Sequence, residues 1–117
     1  MQTNLLKQKL AAGQPATIIA PFASSAGLVE LLGHQGFDGV FLDCEHGPSG
    51  WEDLEDMIRA AELAGYSSVV RVERNDAATI TRTLDRGAGG ADAHERRRGG
   101  LLQRRQPDHR EWLHEQR

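Results

Sequence analysis

The sequence holds a single cysteine, Cys44, among its 117 residues. One cysteine excludes an internal disulfide framework and any multi-cysteine zinc site. No stretch approaches the roughly 18 consecutive apolar residues a membrane-spanning helix needs, so a membrane span is excluded. Residues 1–10 carry polar groups and two lysines instead of an apolar signal core, and the expected location is cytoplasmic. There is no positive excess either. The net charge of −3 argues against a general nucleic-acid binder.

The charge is unevenly spread. Residues 1–90 hold seven Lys and Arg against twelve Asp and Glu, whereas residues 91–117 hold seven Arg against five acids. The second segment has only six apolar residues in 27, too few to offset the entropy lost on ordering. A boundary is therefore expected near Gly89 and Gly90, giving a folded unit over 1–90 and a disordered Arg-rich tail over 91–117.

The first segment alternates short apolar runs with helical patterns. Residues 4–12 read as a helix capped by Thr3 or Asn4 and ended by Gly13. A β-branched run, 17–20, reads as a buried strand, and a helix follows over 28–35 with Ser25 as its cap. Residues 39–43 (GVFLD) form a second strand. Ser49 and Glu52 read as a capping box for a helix whose Leu54, Met57, Ile58 and Ala61 share one face. Residues 68–72 (SVVRV) make a third strand. Asp76 then caps a helix carrying Ile80 and Leu84. Alternation of this kind predicts βαβ units and a parallel α/β sheet. In such folds the chemistry sits at the C-terminal ends of the strands.

The polar residues at those ends are Asp43, Glu45 and His46 after the second strand, and Arg71 and Glu73 at the third. A histidine exchanges protons near neutral pH, and nearby carboxylates can orient it or hold a metal. The alternative is a polar loop cap, with Asp43 and His46 bonding local backbone. Arg71 interrupts an apolar strand, and a guanidinium there needs a partner. That partner is either a structural acid or an anionic ligand matching its planar fork. Cys44 reads as a small buried hydrophobe, since no cation is implied beside it.

Other readings fall away. The Gly87-Ala88-Gly89-Gly90 run follows a helix and lacks phosphate-loop spacing. Arg96-Arg97-Arg98 lacks interleaved aromatics and reads as a solvated charge run. A phosphoacceptor domain would want an acidic pair after its first strand and a late lysine, yet that strand ends Ala20-Pro21-Phe22 and the only lysines are Lys7 and Lys9.

Taken in order along the chain, residues 4 to about 90 resemble the HpcH/HpaI family of class II, pyruvate-dependent aldolases. The likeness runs through Asn4-x-Leu6-Lys7, Gly36-Phe37-Asp38, Leu42-Asp43-x-Glu45-His46-Gly47-Pro48, Arg59-Ala60-Ala61-Glu62, Val70-Arg71-Val72, Asn75-Asp76 and Leu84-Asp85-x-Gly87-Ala88. The resemblance implies part of a TIM (β/α)8 barrel, here about three βα units. It implies a divalent metal (magnesium, manganese or cobalt) and reversible cleavage of a 4-hydroxy-2-oxo acid to pyruvate and an aldehyde. By position, His46 resembles the general base and Asp85 the acid paired with it. Arg71 resembles the residue that holds the pyruvate carbonyl and stabilises the enolate. Asp43 and Glu45 resemble the polar shell around the metal-bound water. The family's metal ligands lie on later strands, so none is expected within this chain. The partner implied is a small 2-oxo acid, in a family that is usually homo-oligomeric.

After Gly90 the family pattern stops. Residues 91–100 can be encoded by a base string whose second frame reads Leu-Met-Pro-Thr-Asn-Ala-Glu-Glu-Ala, much like a family continuation. A frameshift near Gly89 is therefore the expected origin of the tail, and an inactive part-barrel the expected product. The rival expectations are a non-catalytic unit that completes its barrel with a partner chain, and an unrelated small α/β binding domain with a native tail.

Overall fold

A computed structural model describes residues 4–45 and 50–93. Their elements alternate as α1 (Leu5–Ala11), β1 (Ile18–Ile19), α2 (Ala26–Gly33), β2 (Gly39–Asp43), α3 (Trp51–Leu63), β3 (Ser67–Val72), α4 (Ala77–Asp85) and β4 (Gly90–Ala93). The four strands form one sheet in the order β1-β2-β3-β4, and every neighbouring pair is parallel. Strand order never reverses, so the sheet is singly wound, as in a (β/α)8 barrel. The α/β class and parallel sheet predicted from the sequence are what the chain adopts.

Local chemistry explains the element ends. Asn4, Ser25 and Asp76 cap α1, α2 and α4, each side chain accepting the backbone N–H three residues on. These amide, hydroxyl and carboxylate oxygens satisfy N–H groups that the first helical turn leaves open. Helices α3 and α4 are followed by Gly65 and Gly87, at φ 80° and 93°, a left-handed conformation that stops a helix cheaply only at glycine. At the start of α3 the expected pair is replaced. Gly50 is the N-cap and donates its N–H to Asp53 at 3.3 Å, while Ser49 lies outside the described residues.

The strands bury one side against the helices. Val40, Leu42, Val70 and Val72 are 0–2% exposed and pack with Val29, Leu54, Met57, Ile58 and Ala61. All four residues predicted to share a face on α3 are in this core. On α4 the face is rotated: Thr83 is fully buried, while Leu84 is 38% exposed. Thr83 can take that place because its hydroxyl donates to the Thr79 carbonyl at 2.9 Å, which removes its need for water.

Helix α1 crosses the N-terminal ends of the strands. Asn4 donates to the Gly89 carbonyl at 2.9 Å and accepts from the Ser67 hydroxyl at 3.0 Å. Leu6 is buried over Gly39. A Cβ on Gly39 would lie 2.6 Å from Leu6 Cδ1 and 3.1 Å from the Ser67 carbonyl oxygen, so a side chain here would push Leu6 out of its seat.

One expectation is corrected by the strand count. The sheet has four strands where three were read, because Gly90-Ala91-Asp92-Ala93 pairs parallel with β3. That segment has small residues and a charge instead of a β-branched run, so it carries little strand signal of its own. Its pairing comes from an adjacent strand already in place. The strand also runs past the boundary expected near Gly90. The remainder of the Arg-rich segment, 94–117, lies outside the described residues.

Candidate active site

Alternation along the strands sends the odd residues of β2 and β3 to the face that, among the described residues, carries no helix. Phe41 and Val69 occupy the middle of that face, and Asp43 and Arg71 its C-terminal end. The β2–β3 register sets Asp43 directly opposite Arg71. The two meet as a fork: Arg71 Nε donates to Asp43 Oδ1 at 2.9 Å, and Arg71 Nη2 donates to Asp43 Oδ2. Glu45 Oε2 stands 3.6 Å from Arg71 Nε. Arg71 also lies 5.7 Å from the centroid of the Phe41 ring, within cation–π range.

The loop after β2 is shaped by the same carboxylate. Asp43 Oδ1 accepts the Glu45 N–H at 3.0 Å, and the Cys44 N–H donates to the Arg71 carbonyl at 3.0 Å. The fork is partly shielded, with side-chain exposures of 24% for Arg71 and 31% for Asp43. Glu45 is more enclosed, at 8%. The hydrogen bond to Asp43, opposed by burial and helped by the charges of Asp43, Glu45 and Asp92, holds the Arg71 pKa above its ordinary value. The guanidinium is therefore a fixed cation with its fork engaged.

Cys44 is turned elsewhere. It lines a cleft on the helix side with Trp51, Leu54, Val70, Val72 and Glu73. Burial, then the nearby Asp43 and Glu73 charges, pushes its thiol up to about 11. A thiol so disfavoured from ionising is no nucleophile at neutral pH.

Of the predicted site residues, Asp43, Glu45 and Arg71 come together. His46 lies outside the described residues. Asp85 is the last residue of α4, and α4 leads into the start of β4. The topology therefore places Asp85 at the N-terminal ends of the strands, opposite the end that carries Asp43 and Arg71. The pairing of Asp85 with His46 involves a residue outside those described. Sequence reasoning missed Asp92, which the β3–β4 register sets beside Arg71. Only recognition of β4 as a strand would have revealed it.

The divalent metal does not fit the described residues alone. Among them, no group of three or more His, Cys, Asp or Glu side chains could hold an ion. The carboxylates of Asp43 and Glu45 face Arg71 instead.

A singly wound parallel sheet with polar residues gathered at its C-terminal end is the architecture of part of a (β/α)8 barrel enzyme. The comparisons with known proteins narrow this. The chain is 35% identical over 88 residues to a hydroxypyruvate/pyruvate aldolase of Paraburkholderia phytofirmans, covering 74% of this chain and 34% of that protein. It is 38% identical over 66 residues to a 2-dehydro-3,6-dideoxy-6-sulfogluconate aldolase of Pseudomonas putida, covering 56% of this chain and 26% of that one. Among solved structures, the HpcH/HpaI aldolase from Desulfitobacterium hafniense superposes with a TM-score of 0.67 at 30% identity, covering 76% of this chain and 35% of that one. No family model matches. Over this span the chain has the sequence and fold of the HpcH/HpaI aldolases, an aldolase and lyase family. It spans about a quarter to a third of the length of these curated relatives.

Proposed function

We propose that the end of the sheet carrying Asp43 and Arg71 is the 2-oxo acid end of a class II aldolase site. The reaction is reversible cleavage of a 4-hydroxy-2-oxo acid to pyruvate and an aldehyde. The observation that carries this reading is the Asp43–Arg71 fork on the helix-free face, where strand ends meet. Cleavage builds negative charge on an enolate oxygen, and a fixed guanidinium stabilises that charge without reorganising. Asp43 and Glu45 orient Arg71. His46, which follows Glu45 directly, takes the 4-hydroxyl proton in this reading.

The metal ligands are assigned to later strands of the barrel, which these 117 residues do not contain, so this stretch does not turn over by itself. Whatever supplies the rest of the barrel supplies them. A second reading has its own support. Among the described residues, β1 and β4 each have one strand neighbour, and edges of this kind pair readily with another chain. In that reading the unit is a non-catalytic module that completes its barrel with a partner chain. The test is to add a purified polypeptide covering the remaining strands and measure metal-dependent pyruvate release. Restored release that is lost on Arg71→Gln supports the aldolase site. Stable association without release supports the non-catalytic unit.

A further inference from the structure

Arg71 has acids on both flanking strands. The β2 register gives it Asp43 and the β3–β4 register pairs it with Asp92. Register partners in a parallel sheet project to the same face, so Asp92 shares the helix-free face with the guanidinium. Asp92 is half-buried, so water screens it only in part. Its charge already contributes to holding Arg71 protonated. Around Arg71 three carboxylates are thus gathered: Asp43, Glu45 and Asp92.

We infer that Asp92 is a positioning residue that braces Arg71 from the β4 side and opposes the entry of a second anion at that guanidinium. Asp43 engages Nε and Nη2, so an incoming carboxylate must use the donors left over. Asp92 stands on the strand opposite to Asp43, and its charge repels a carboxylate approaching from there. The brace fixes the cation and at the same time lowers its appetite for anionic ligands. The second half of this inference rests on the reading of this site as a 2-oxo acid site. The first half does not.

Two measurements on the full chain separate these halves. A double-mutant cycle of Asp92→Asn and Arg71→Gln in urea unfolding reads the brace directly. We expect a coupling of about two- to fivefold in the unfolding constant, shrinking with added salt. No coupling overturns the inference. Asp92→Glu, which keeps the charge, should retain the coupling with Arg71→Gln. Pyruvate binding by each chain, mixed with the polypeptide covering the remaining strands and a divalent metal and followed by titration calorimetry, reads the opposition to anions. We expect Asp92→Asn to bind pyruvate about three- to tenfold more tightly at low ionic strength. Equal or weaker binding by the variant overturns that half. Coupling in the cycle with no pyruvate binding by either chain leaves the brace standing and contradicts the 2-oxo acid reading.

Discussion

Replacing Gly33 with alanine should destabilise the fold, although alanine is the better helix former. Gly33 is the last residue of α2. A Cβ there would lie 2.6 Å from Ala64 Cβ, 2.6 Å from Tyr66 Cε1 and 2.9 Å from Tyr66 Cδ1. None of these atoms is the loose end of a flexible side chain. Ala64 is the C-cap of α3, and Tyr66 is 5% exposed with its hydroxyl donating to the Val29 carbonyl. Relief requires α2 to move away from α3, or the tyrosine ring to give up its seat. Overpacking of this kind costs about 1–3 kcal/mol. Against it stands about 1 kcal/mol gained by alanine in a helix interior, less at a terminus. The net expectation is a loss of about 1–2 kcal/mol. Urea unfolding followed by tryptophan fluorescence should show a lower midpoint at unchanged slope. A midpoint equal to or above that of the unsubstituted chain would refute the packing of α2 on α3 described above.

Three further outcomes are expected. Cys44 should react slowly with a thiol reagent at pH 8, because moving its pKa from 9.0 to about 11 cuts the thiolate fraction about a hundredfold; a rate equal to that in urea would contradict its burial. Ser25→Ala should cost about 1 kcal/mol by removing the cap that accepts the Leu28 N–H at 3.2 Å, and a cost near zero in the same urea assay would show the cap to be idle. The Lys9 ammonium, with the Thr17 N–H, holds the Asp38 carboxyl below 3.8, and the Thr79 N–H does the same for Asp76. Their stabilisation is therefore complete above the unfolded value and is lost as pH falls below about 4 through the folded values. An Asp38→Asn chain should show a shallower loss of stability across that window, and an unchanged acid slope would remove Asp38 from the account.

Much of this was legible in the residues because local signals agreed with one another. The GVFLD strand was placed over 39–43 because apolar residues run up to a terminal acid, and the caps Asn4, Ser25 and Asp76 each precede a helical pattern. The Arg71 alternatives were left open by the sequence, since a guanidinium in an apolar strand demands a partner without naming it. Register, a long-range property, supplied Asp43. The fourth strand was hidden because Gly90-Ala91-Asp92-Ala93 has no propensity to announce it, and Asp92 was hidden with it.

The account's central claim is that this sheet end is an aldolase site whose turnover needs groups outside these 117 residues. The direct test is metal-dependent pyruvate release from a 4-hydroxy-2-oxo acid by the purified 117-residue chain, with a His46→Ala chain in parallel. The account predicts no release above background from either. Release from the unsubstituted chain that disappears on His46→Ala would contradict it, by showing that this chain or a second copy of it supplies the groups assigned elsewhere.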